Sequence, residues 1–448
     1  MASIAQKQLF GWEELDELGD LERLRLVLEY LPDEPLMQLL EKERGRGRDD
    51  YPVRAVWNSI LAGVVFQHSG IESLRRELNR NGQLRQLCGF DPLKGSDAIP
   101  PAWGYTRFLK QLMNHEEAVE ALFDRLVGEL RGVLPDFGRT LAVDGKAIET
   151  HARGRKQEGT EQAQEKKPDA RRDTDANWGM KTSWSKQKDG TLLKKVKSWF
   201  GYKLHLVVDA EYELPVAFEV TRASAGEQPQ ARALVKRLEE RHGELLEGCE
   251  SFLGDKGYDD TRLISLLWDD HRIKPVIDIR DCWKESDDNR GTRVLSGTTN
   301  GTYDYRGNVF CSCPLTGVTQ AMAYGGFEAS RGTLKYRCPA EHYGSECRGQ
   351  GDCPLGSAIR IKLEEDRRIF TPVARSSYAW KTQYKKRTSV ERVNGRLDVS
   401  FGFENHFIRG LKKMKLRCGL AFGVMLAMAL GRVKEKQPGK LRSLVQAA

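Results

Sequence analysis

The chain has 448 residues, which exceeds the length that a single hydrophobic core usually stabilises. We therefore expect a main domain with appended or inserted modules. Lysine and arginine total 72 against 64 aspartates and glutamates, and the net charge of +8 favours a polyanionic partner. Residues 1–30 are already charged, and the longest apolar run, 418–430, is shorter than the roughly 20 residues of a membrane span. These features argue against a secreted or membrane-spanning protein and predict a cytoplasmic one, with which the odd number of cysteines, nine, agrees.

Residues 1–134 are predicted to form a helical N-terminal domain. Apolar residues recur there at helical spacing, as at Leu24 and Val27 and again at Leu74 and Leu78. Arginines are spread over the same predicted helices. Two interpretations stay open: a domain that binds DNA, or a plain helical support for the rest of the chain.

Residues 135–279 carry a mixed pattern of strands and helices. Strands are predicted at 139–143, 199–208, 214–221, 251–254 and 274–279, and helices at 231–238 and 263–267. The order strand, strand, strand, helix, strand, helix, strand predicts an α/β fold whose mixed sheet begins as an antiparallel meander. This is the order of a ribonuclease-H-like core.

Two segments interrupt or follow this core before the chain becomes helical again. Residues 151–195 are rich in charge and almost lack aliphatic side chains, which predicts a mobile charged insertion or a long hairpin. Residues 280–365 hold most of the cysteines, and we predict an inserted subdomain with too few aliphatic residues for its own core. Residues 366–448 are predicted to complete the main domain with C-terminal helices, one at about 376–397 and a pair between 407 and 430.

Three acidic residues are candidates for one site. Asp144 and Asp255 each follow a predicted strand directly, and Glu391 lies on the predicted helix beyond the cysteine-rich insertion. Because strand ends can meet at one edge of a sheet, carboxylates that are remote in sequence can share a site. Clustered carboxylates suit Mg²⁺ or Mn²⁺, and a pair of such ions assists phosphoryl transfer. We therefore predict that these three residues are catalytic metal ligands.

Three sequence blocks around these residues carry a family resemblance. The blocks are Leu141-Ala-Val-Asp144-Gly-Lys146, Phe252-Leu-Gly-Asp255-Lys-Gly-Tyr258 and Tyr384-x2-Arg387-x3-Glu391-Arg392-Val-Asn394. They resemble the catalytic blocks of the DDE transposases of bacterial insertion sequences that carry a Tyr-Arg-Glu-Lys signature, over about residues 139–430. The resemblance implies a ribonuclease-H-like fold, Mg²⁺ dependence, and DNA strand cleavage followed by strand transfer. A lone aspartate after a strand is more often a turn former, but three blocks in the expected order favour the catalytic interpretation.

The third block is predicted to present its functional side chains on one stripe of a helix. At about 100° per residue, Tyr384, Arg387, Glu391 and position 398 face the same way. Glu391 would complete the metal site, while Arg387 and Tyr384 would hold the phosphate backbone of the cleaved DNA end. The family pattern has a lysine seven residues after the glutamate, where this chain departs from it with Asp398.

Further DNA contacts are predicted for three basic residues close to the candidate ligands. Arg392 belongs to the third block, and Lys146 and Lys256 follow the two aspartates. The lysines would contact DNA phosphates or, in the alternative interpretation, extend into solvent.

The cysteine-rich insertion raises the question of a second metal. The residues concerned are Cys311, Cys313, Cys338, Cys347 and Cys353. A structural Zn²⁺ would stabilise such a segment, because thiolate sites contribute folding energy directly. Their spacing contains no Cys-x-x-Cys pair, so reduced, merely buried thiols are the alternative.

Taken together, the resemblance implies a DNA transposase that cleaves transposon ends and joins them to target DNA. Its partners would be double-stranded DNA and further copies of the chain, without a membrane, in the cytoplasm at the nucleoid, and residues 1–134 could then bind the element's ends. One alternative is a metal-dependent nuclease of the same fold without strand transfer. Another is a DNA-binding derivative without catalysis.

Overall fold

The structure is a computed structural model and describes residues 19–46, 50–154, 172–186, 191–283 and 291–442. Residues 1–18 and 47–49 of the predicted helical domain, 155–171 and 187–190 of the charged stretch, 284–290 of the insertion and 443–448 lie outside these described residues. Within them the chain forms an N-terminal layer of helices, a mixed central sheet, a cysteine-rich part with two small sheets, and C-terminal helices.

The N-terminal part is helical, as predicted. Its helices are α1 (Glu22–Tyr30), α2 (Glu34–Arg44), α3 (Val53–Val65), α4 (Ile71–Arg80), α5 (Gly82–Cys88), α6 (Ala102–Leu112) and α7 (Glu116–Val133). The sequence explains their packing: α4 buries only Leu74 and Leu78 and turns its charged residues outward, whereas α3 is apolar and mostly buried. The Asn81 side chain accepts a hydrogen bond from the Leu84 N–H at 2.9 Å and so begins α5.

The central sheet has the strand order predicted for a ribonuclease-H-like core. Its elements are β1 (Thr140–Glu149), β2 (Asn177–Lys186), β3 (Leu192–Asp209), β4 (Leu214–Arg222), helix α8 (Glu227–Glu247), β5 (Ser251–Gly254), helix α9 (Thr261–Ser265) and β6 (Lys274–Ile277). Strands β4, β3 and β1 are antiparallel neighbours, and β5 and β6 follow β1 in parallel. The mixed sheet with an antiparallel meander is therefore confirmed.

Strand β1 is longer than predicted, and this changes the position of Asp144. We expected the strand to end at Val143, but β1 pairs with β3 as far as Glu149. Its parallel pairing with β5 ends at Ala142. Asp144 therefore lies within β1, at the point where the β5 side of the strand opens. The long partner β3 extends the strand because it offers a continuous ladder that sequence periodicity over 139–143 did not reveal.

The charged stretch after β1 contains a hairpin in its described part. Strand β2 pairs with residues 192–201 of β3, and from Gly201 onward β3 pairs with β1 instead. A methyl group on Gly201 would overlap the carbonyl oxygen of Ile148, so glycine is needed where β3 changes partner. The hairpin thus adds β2 to the central sheet as a further strand of the meander.

The cysteine-rich part folds around its own small core, which corrects the expectation that it has none. Its elements are β7 (Thr292–Val294), β8 (Gly301–Asp304), β9 (Val309–Ser312), β10 (Thr319–Ala321), β11 (Ala323–Glu328), β12 (Thr333–Arg337), helix α10 (Pro339–Tyr343) and β13 (Ala358–Lys362). They form a four-stranded and a three-stranded sheet. Tyr303, Tyr336 and Phe370 are central to the buried cluster between them. The cluster joins these rings to aliphatic side chains that are scattered along the segment, among them Leu334 and Ile361, so the sequence pattern did not reveal it.

The C-terminal helices are α11 (Tyr378–Lys385), α12 (Thr388–Phe401) and α13 (Leu411–Lys434). We predicted one helix over 376–397, but the helix is broken at Lys386 and Arg387. The N–H groups of these two residues donate to carbonyls three residues earlier, instead of four as in an α-helix, and the Thr388 hydroxyl donates to the Lys385 carbonyl. The predicted helix pair between 407 and 430 is a single helix, α13.

Helix α13 lies at the centre of the main hydrophobic core. It packs against α7, α1 and β4, so the N-terminal helices and the central sheet share one buried cluster. Among the described residues, α13 is the one helix whose length and composition would suffice to cross a membrane, and it is mostly buried inside the protein. Its apolar character on all sides is explained by this burial.

Candidate active site

Asp144 and Asp255 occupy neighbouring positions on adjacent strands. In the parallel pair of β1 and β5, Ala142 lies beside Leu253. Continuing this register by two residues brings Asp144 beside Asp255, on strands that are about 4.8 Å apart. Asp255 follows β5 directly, and its Oδ1 accepts a hydrogen bond from the Gly257 N–H at 2.7 Å. The two carboxylates that the sequence singled out are therefore neighbours in the fold.

The environment of Asp144 disfavours its charged form. Its pKa is raised to about 6, first by burial and then by the negative charge of Asp255. The Gly145 N–H and the positive charges of Lys181 and Arg387 act in the opposite direction. Two like charges side by side, one of them largely removed from water, form a site that a cation would stabilise.

Glu227 lies against the same two strands, although the sequence did not single it out. It is the first residue of α8, and its Oε1 is 3.2 Å from the position that a methyl group would take on Gly145. A methyl group on Gly257 would overlap Glu227 Oε2 and lie 2.8 Å from Asp255 Oδ1. No motif marks this residue, because its closeness results from where the start of α8 meets the sheet.

Tyr258 lies beneath these carboxylates. It is 1% exposed, and its hydroxyl has no hydrogen-bond partner among the described residues. Burial raises the pKa of Tyr258, and the charges of Asp144, Glu227 and Asp255 raise it further. All three acids therefore lie near enough to this hydroxyl for their charges to act on it.

Glu391 is held away from the two aspartates by an arginine. Arg387 donates a hydrogen bond from its guanidinium to Glu391 Oε1 at 2.8 Å, and the Glu391 side chain is 51% exposed. The same arginine lowers the pKa of Asp144, so Arg387 acts on both acids. Within the described ranges, no three acidic, histidine or cysteine side chains are close enough to share a metal ion.

Tyr384 and Arg387 are neighbours despite the break between α11 and α12. The Arg387 guanidinium lies over the Tyr384 ring at 5.7 Å, and that ring stacks on Trp380 at 4.5 Å. The two side chains and Glu391 thus stay on one side, as the stripe predicted. The Lys256 side chain is more exposed than that of Arg387, and its Nζ lies 3.6 Å from Asp278 Oδ2.

Like Arg387 and Lys256, the other two basic residues predicted to contact DNA are engaged in ion pairs. Arg392 donates to Glu213 Oε1 at 2.7 Å, on the side of the turn between β3 and β4. Lys146 is largely buried, and its Nζ is 2.6 Å from Asp398 Oδ2. The pair joins β1, which carries Asp144, to α12. Asp398, which stands where the family pattern has a lysine, therefore has a partner in the fold.

The five cysteines of the insertion lie near one another without forming a ligand set. Burial and then the charges of Cys338, Cys353 and Cys347 raise the pKa of Cys311 to about 11. The Thr316 hydroxyl, followed by neighbouring backbone N–H groups, lowers the pKa of Cys313 to about 6. These directions indicate proximity, but the absence of a metal-binding group in the described residues applies to the thiols as well.

A mixed sheet of this strand order, with one carboxylate on β1 and another directly after β5, is typical of enzymes of nucleic-acid phosphoryl transfer. Residues 135–427 match the family described as the transposase DDE domain. The match spans more than half of the chain, so the chain belongs to this family. It is a DNA transposase, an enzyme of DNA cleavage and strand transfer.

A solved transposase structure is similar to this chain. The cryo-EM structure of a piggyBac transposase synaptic complex with hairpin DNA is similar at 12% sequence identity and a TM-score of 0.38. The similarity covers 96% of this chain and 80% of that one. No match to a protein of curated function was found.

Proposed function

We propose that this transposase is of the bacterial insertion-sequence type with a Tyr-Arg-Glu-Lys signature, and that Asp144, Asp255 and Glu391 are its catalytic carboxylates. Water would attack at the end of the element, and the freed 3′ hydroxyl would then attack target DNA. The observation that supports this most is the register of β1 and β5: continued two residues past its last pair, Ala142 and Leu253, it would bring Asp144 beside Asp255, whose charge raises the pKa of Asp144. Phosphoryl transfer depends mainly on such positioning and on charge stabilisation.

The proposed cofactor is Mg²⁺ or Mn²⁺. The donor set fits in part: two neighbouring carboxylates offer the oxygen ligands that these ions prefer, and their mutual repulsion would be relieved on binding. Bound divalent metal would lower the pKa of the attacking water and stabilise the leaving oxygen. Asp144 and Asp255 would hold it, whereas Glu391 is paired with Arg387 and would have to turn.

DNA itself would bring Glu391 into the site. The Arg387 guanidinium interacts with the charges of both Glu391 and Asp144. Arginine can bind a phosphate in the same bidentate manner as a carboxylate. We propose that a backbone phosphate of the cleaved end takes the Arg387 guanidinium and releases Glu391 toward the aspartates. Tyr384, which lies under the Arg387 guanidinium, would contact the same strand.

The remaining DNA contacts are proposed with different support. Lys256 is exposed beside Asp255, so a phosphate can reach it. Lys146 and Arg392 would contact DNA only with the donors that their ion pairs to Asp398 and Glu213 leave.

We propose that the chain acts in the cytoplasm, at the nucleoid, as a homo-oligomer on two transposon ends and double-stranded target DNA. The domain division that we propose is 1–134 for end binding, 135–279 and 366–448 for the catalytic core, and 280–365 for the insertion. The net charge of +8 supports a polyanionic partner.

A structural Zn²⁺ in the insertion is a separate proposal. It is supported by the nearness of the five thiols and by the donors that favour thiolate at Cys313. Metal analysis of the purified protein and of a Cys313→Ser, Cys347→Ser variant tests it. One zinc per chain, lost in the variant, is expected; a folded chain without zinc would mean that the thiols are simply reduced.

Strand-transfer assays on supercoiled target DNA test the proposed function. We expect Asp144→Asn, Asp255→Asn and Glu391→Gln each to abolish cleavage and joining, because each removes a charge at the site. Asp136→Asn, an exposed change away from the site, is the control that retains activity. Cleavage without joining would favour the nuclease of the same fold. DNA binding without cleavage by the wild type would favour the derivative without catalysis.

A further inference from the structure

Glu227 approaches the paired aspartates through two glycines. The gap between its carboxylate and β1 is bounded by Gly145, and the gap toward Asp255 is bounded by Gly257. At Gly257 a methyl group would meet oxygens of both Glu227 and Asp255, so these oxygens face a common space that any larger residue would fill. Like charges that face a common space repel one another, so a cation bound there would stabilise them.

The positive charge within the described residues compensates Glu227 only in part. Lys203 Nζ is 3.5 Å from Glu227 Oε1, and the same ammonium donates to the Ala225 carbonyl at 3.0 Å. Lys181 and Arg387 act on Asp144 through their charges, and Arg387 is also paired with Glu391. No lysine or arginine in the described part of the chain forms an ion pair with Asp144 or Asp255, so a cation could still bind between the acids.

A second and independent observation concerns Tyr258. Its hydroxyl is buried, is affected by the charges of these three acids, and has no partner in the described part of the chain. Buried hydroxyls are almost always hydrogen-bonded, to protein or to an ordered water. A phenol hydroxyl can donate to a water or to a carboxylate oxygen, so Tyr258 has a donor to offer to a ligand of the site.

We propose that Glu227 is a further ligand of the divalent cation held by Asp144 and Asp255, with the Tyr258 hydroxyl orienting a ligand from beneath. The inference rests on the proposed function, because it assumes that the aspartates bind such a cation. Glu227 belongs to no block of the sequence resemblance and is brought to the site by the start of α8. The three acids do not form a ligand set as they stand in the described residues, so the Glu227 carboxylate would turn from Lys203 toward the cation while Arg387 holds Glu391.

Titration of the metal-free, full-length protein with Mn²⁺ by calorimetry tests this role without any measurement of activity. Glu227→Gln is expected to weaken Mn²⁺ binding by at least about 10-fold, as loss of a ligand or its support does. Glu240→Gln, an exposed change on the same helix, should bind Mn²⁺ like the wild type. Thermal unfolding without metal should show that Glu227→Gln is folded and no less stable, because the change relieves repulsion.

Gly257→Ala provides a second variant that keeps every charge. Its methyl group would fill the space between Glu227 and Asp255, so it should also weaken Mn²⁺ binding. Unchanged Mn²⁺ affinity in Glu227→Gln, together with its loss in Asp144→Asn, would overturn this inference and leave the proposed function standing. A wild-type protein that binds no Mn²⁺ would overturn both. A Glu227→Gln protein with a lower melting temperature and unchanged affinity would assign Glu227 to the start of the helix alone.

Discussion

At the scale of single residues, the site is held in an electrostatically unfavourable state. Asp144 has a pKa of about 6 in the fold against an ordinary 3.8, because burial and Asp255 disfavour its charge. The folded protein therefore binds this proton more tightly than the unfolded chain does. Without metal, the stability that depends on Asp144 is present below pH 4 and is lost as the pH rises toward 6.

Asp144→Asn should thus separate stability from function. At pH 7 and without metal, we expect the variant to unfold with a free energy about 1–3 kcal/mol higher than the wild type, because the uncharged amide removes the repulsion. Cleavage should be lost. Urea unfolding at pH 7 and at pH 4 measures the first effect, and the difference between the proteins should shrink at pH 4. An equally large difference at both pH values would contradict this electrostatic explanation.

The ion pair of Lys146 with Asp398 joins β1 to α12 and is only 11% and 29% exposed at its two side chains. A double-mutant cycle with Lys146→Met and Asp398→Asn should give a coupling of about 1–3 kcal/mol in the free energy of unfolding. The exposed pair of Lys386 and Glu211 is the control, for which about 0–1 kcal/mol is expected. Equal couplings for the two pairs would show that burial does not strengthen the first.

At the scale of elements, one buried acid helps to fix α12 to the central sheet. Glu213, in the turn between β3 and β4, is 4% exposed and accepts hydrogen bonds from Arg392 and Arg396. Arg442 lies 3.5 Å away. Because α12 carries Glu391, this cluster sets where the third carboxylate can stand.

Removing the charge of Glu213 should loosen α12. Glu213→Gln is expected to lower the free energy of unfolding by about 2–4 kcal/mol, since it leaves buried guanidinium charge without its partner. Glu250→Gln, which weakens an exposed pair with Arg139, should cost less than about 1 kcal/mol. Chemical denaturation measures both, and similar losses in the two variants would rule out the anchoring role of Glu213.

At the scale of the whole molecule, the described residues contain two separate hydrophobic clusters. The larger one joins the N-terminal helices, the central sheet and α13, and the smaller one lies within the cysteine-rich part. Clusters without shared side chains can unfold separately, so a single two-state transition is not expected for this chain.

Calorimetry should therefore resolve two unfolding transitions. Leu426→Ala, in the buried centre of α13, should lower the midpoint temperature only of the transition of the larger cluster. Ile361→Ala, on β13, should lower the midpoint temperature only of the transition of the smaller cluster. Each truncation of a buried aliphatic side chain costs about 2–5 kcal/mol in its own core. If either variant shifted both transitions equally, the two clusters would have to unfold together.

Much of the fold and half of the site could be predicted from the sequence. Alternating side chains gave the strands of the meander, short apolar runs gave β5 and β6, and their order gave the sheet. Asp144 and Asp255 could be found because each follows an apolar run directly and because parallel strands meet in register. These features depend on neighbouring residues in the chain, which is what periodicity measures.

The remaining features were decided by tertiary packing. The length of β1 depends on β3, which is more than forty residues away, and the small core of the insertion depends on rings gathered from several strands. Glu227 joins the aspartates only because α8 begins against Gly145 and Gly257, and Glu391 is held off because Arg387 reaches it first. The sequence by itself determined most strands of the central sheet and the two aspartates that follow their apolar runs. Only the tertiary structure decided which charges share the site, because electrostatic energy depends on distance in space and on burial.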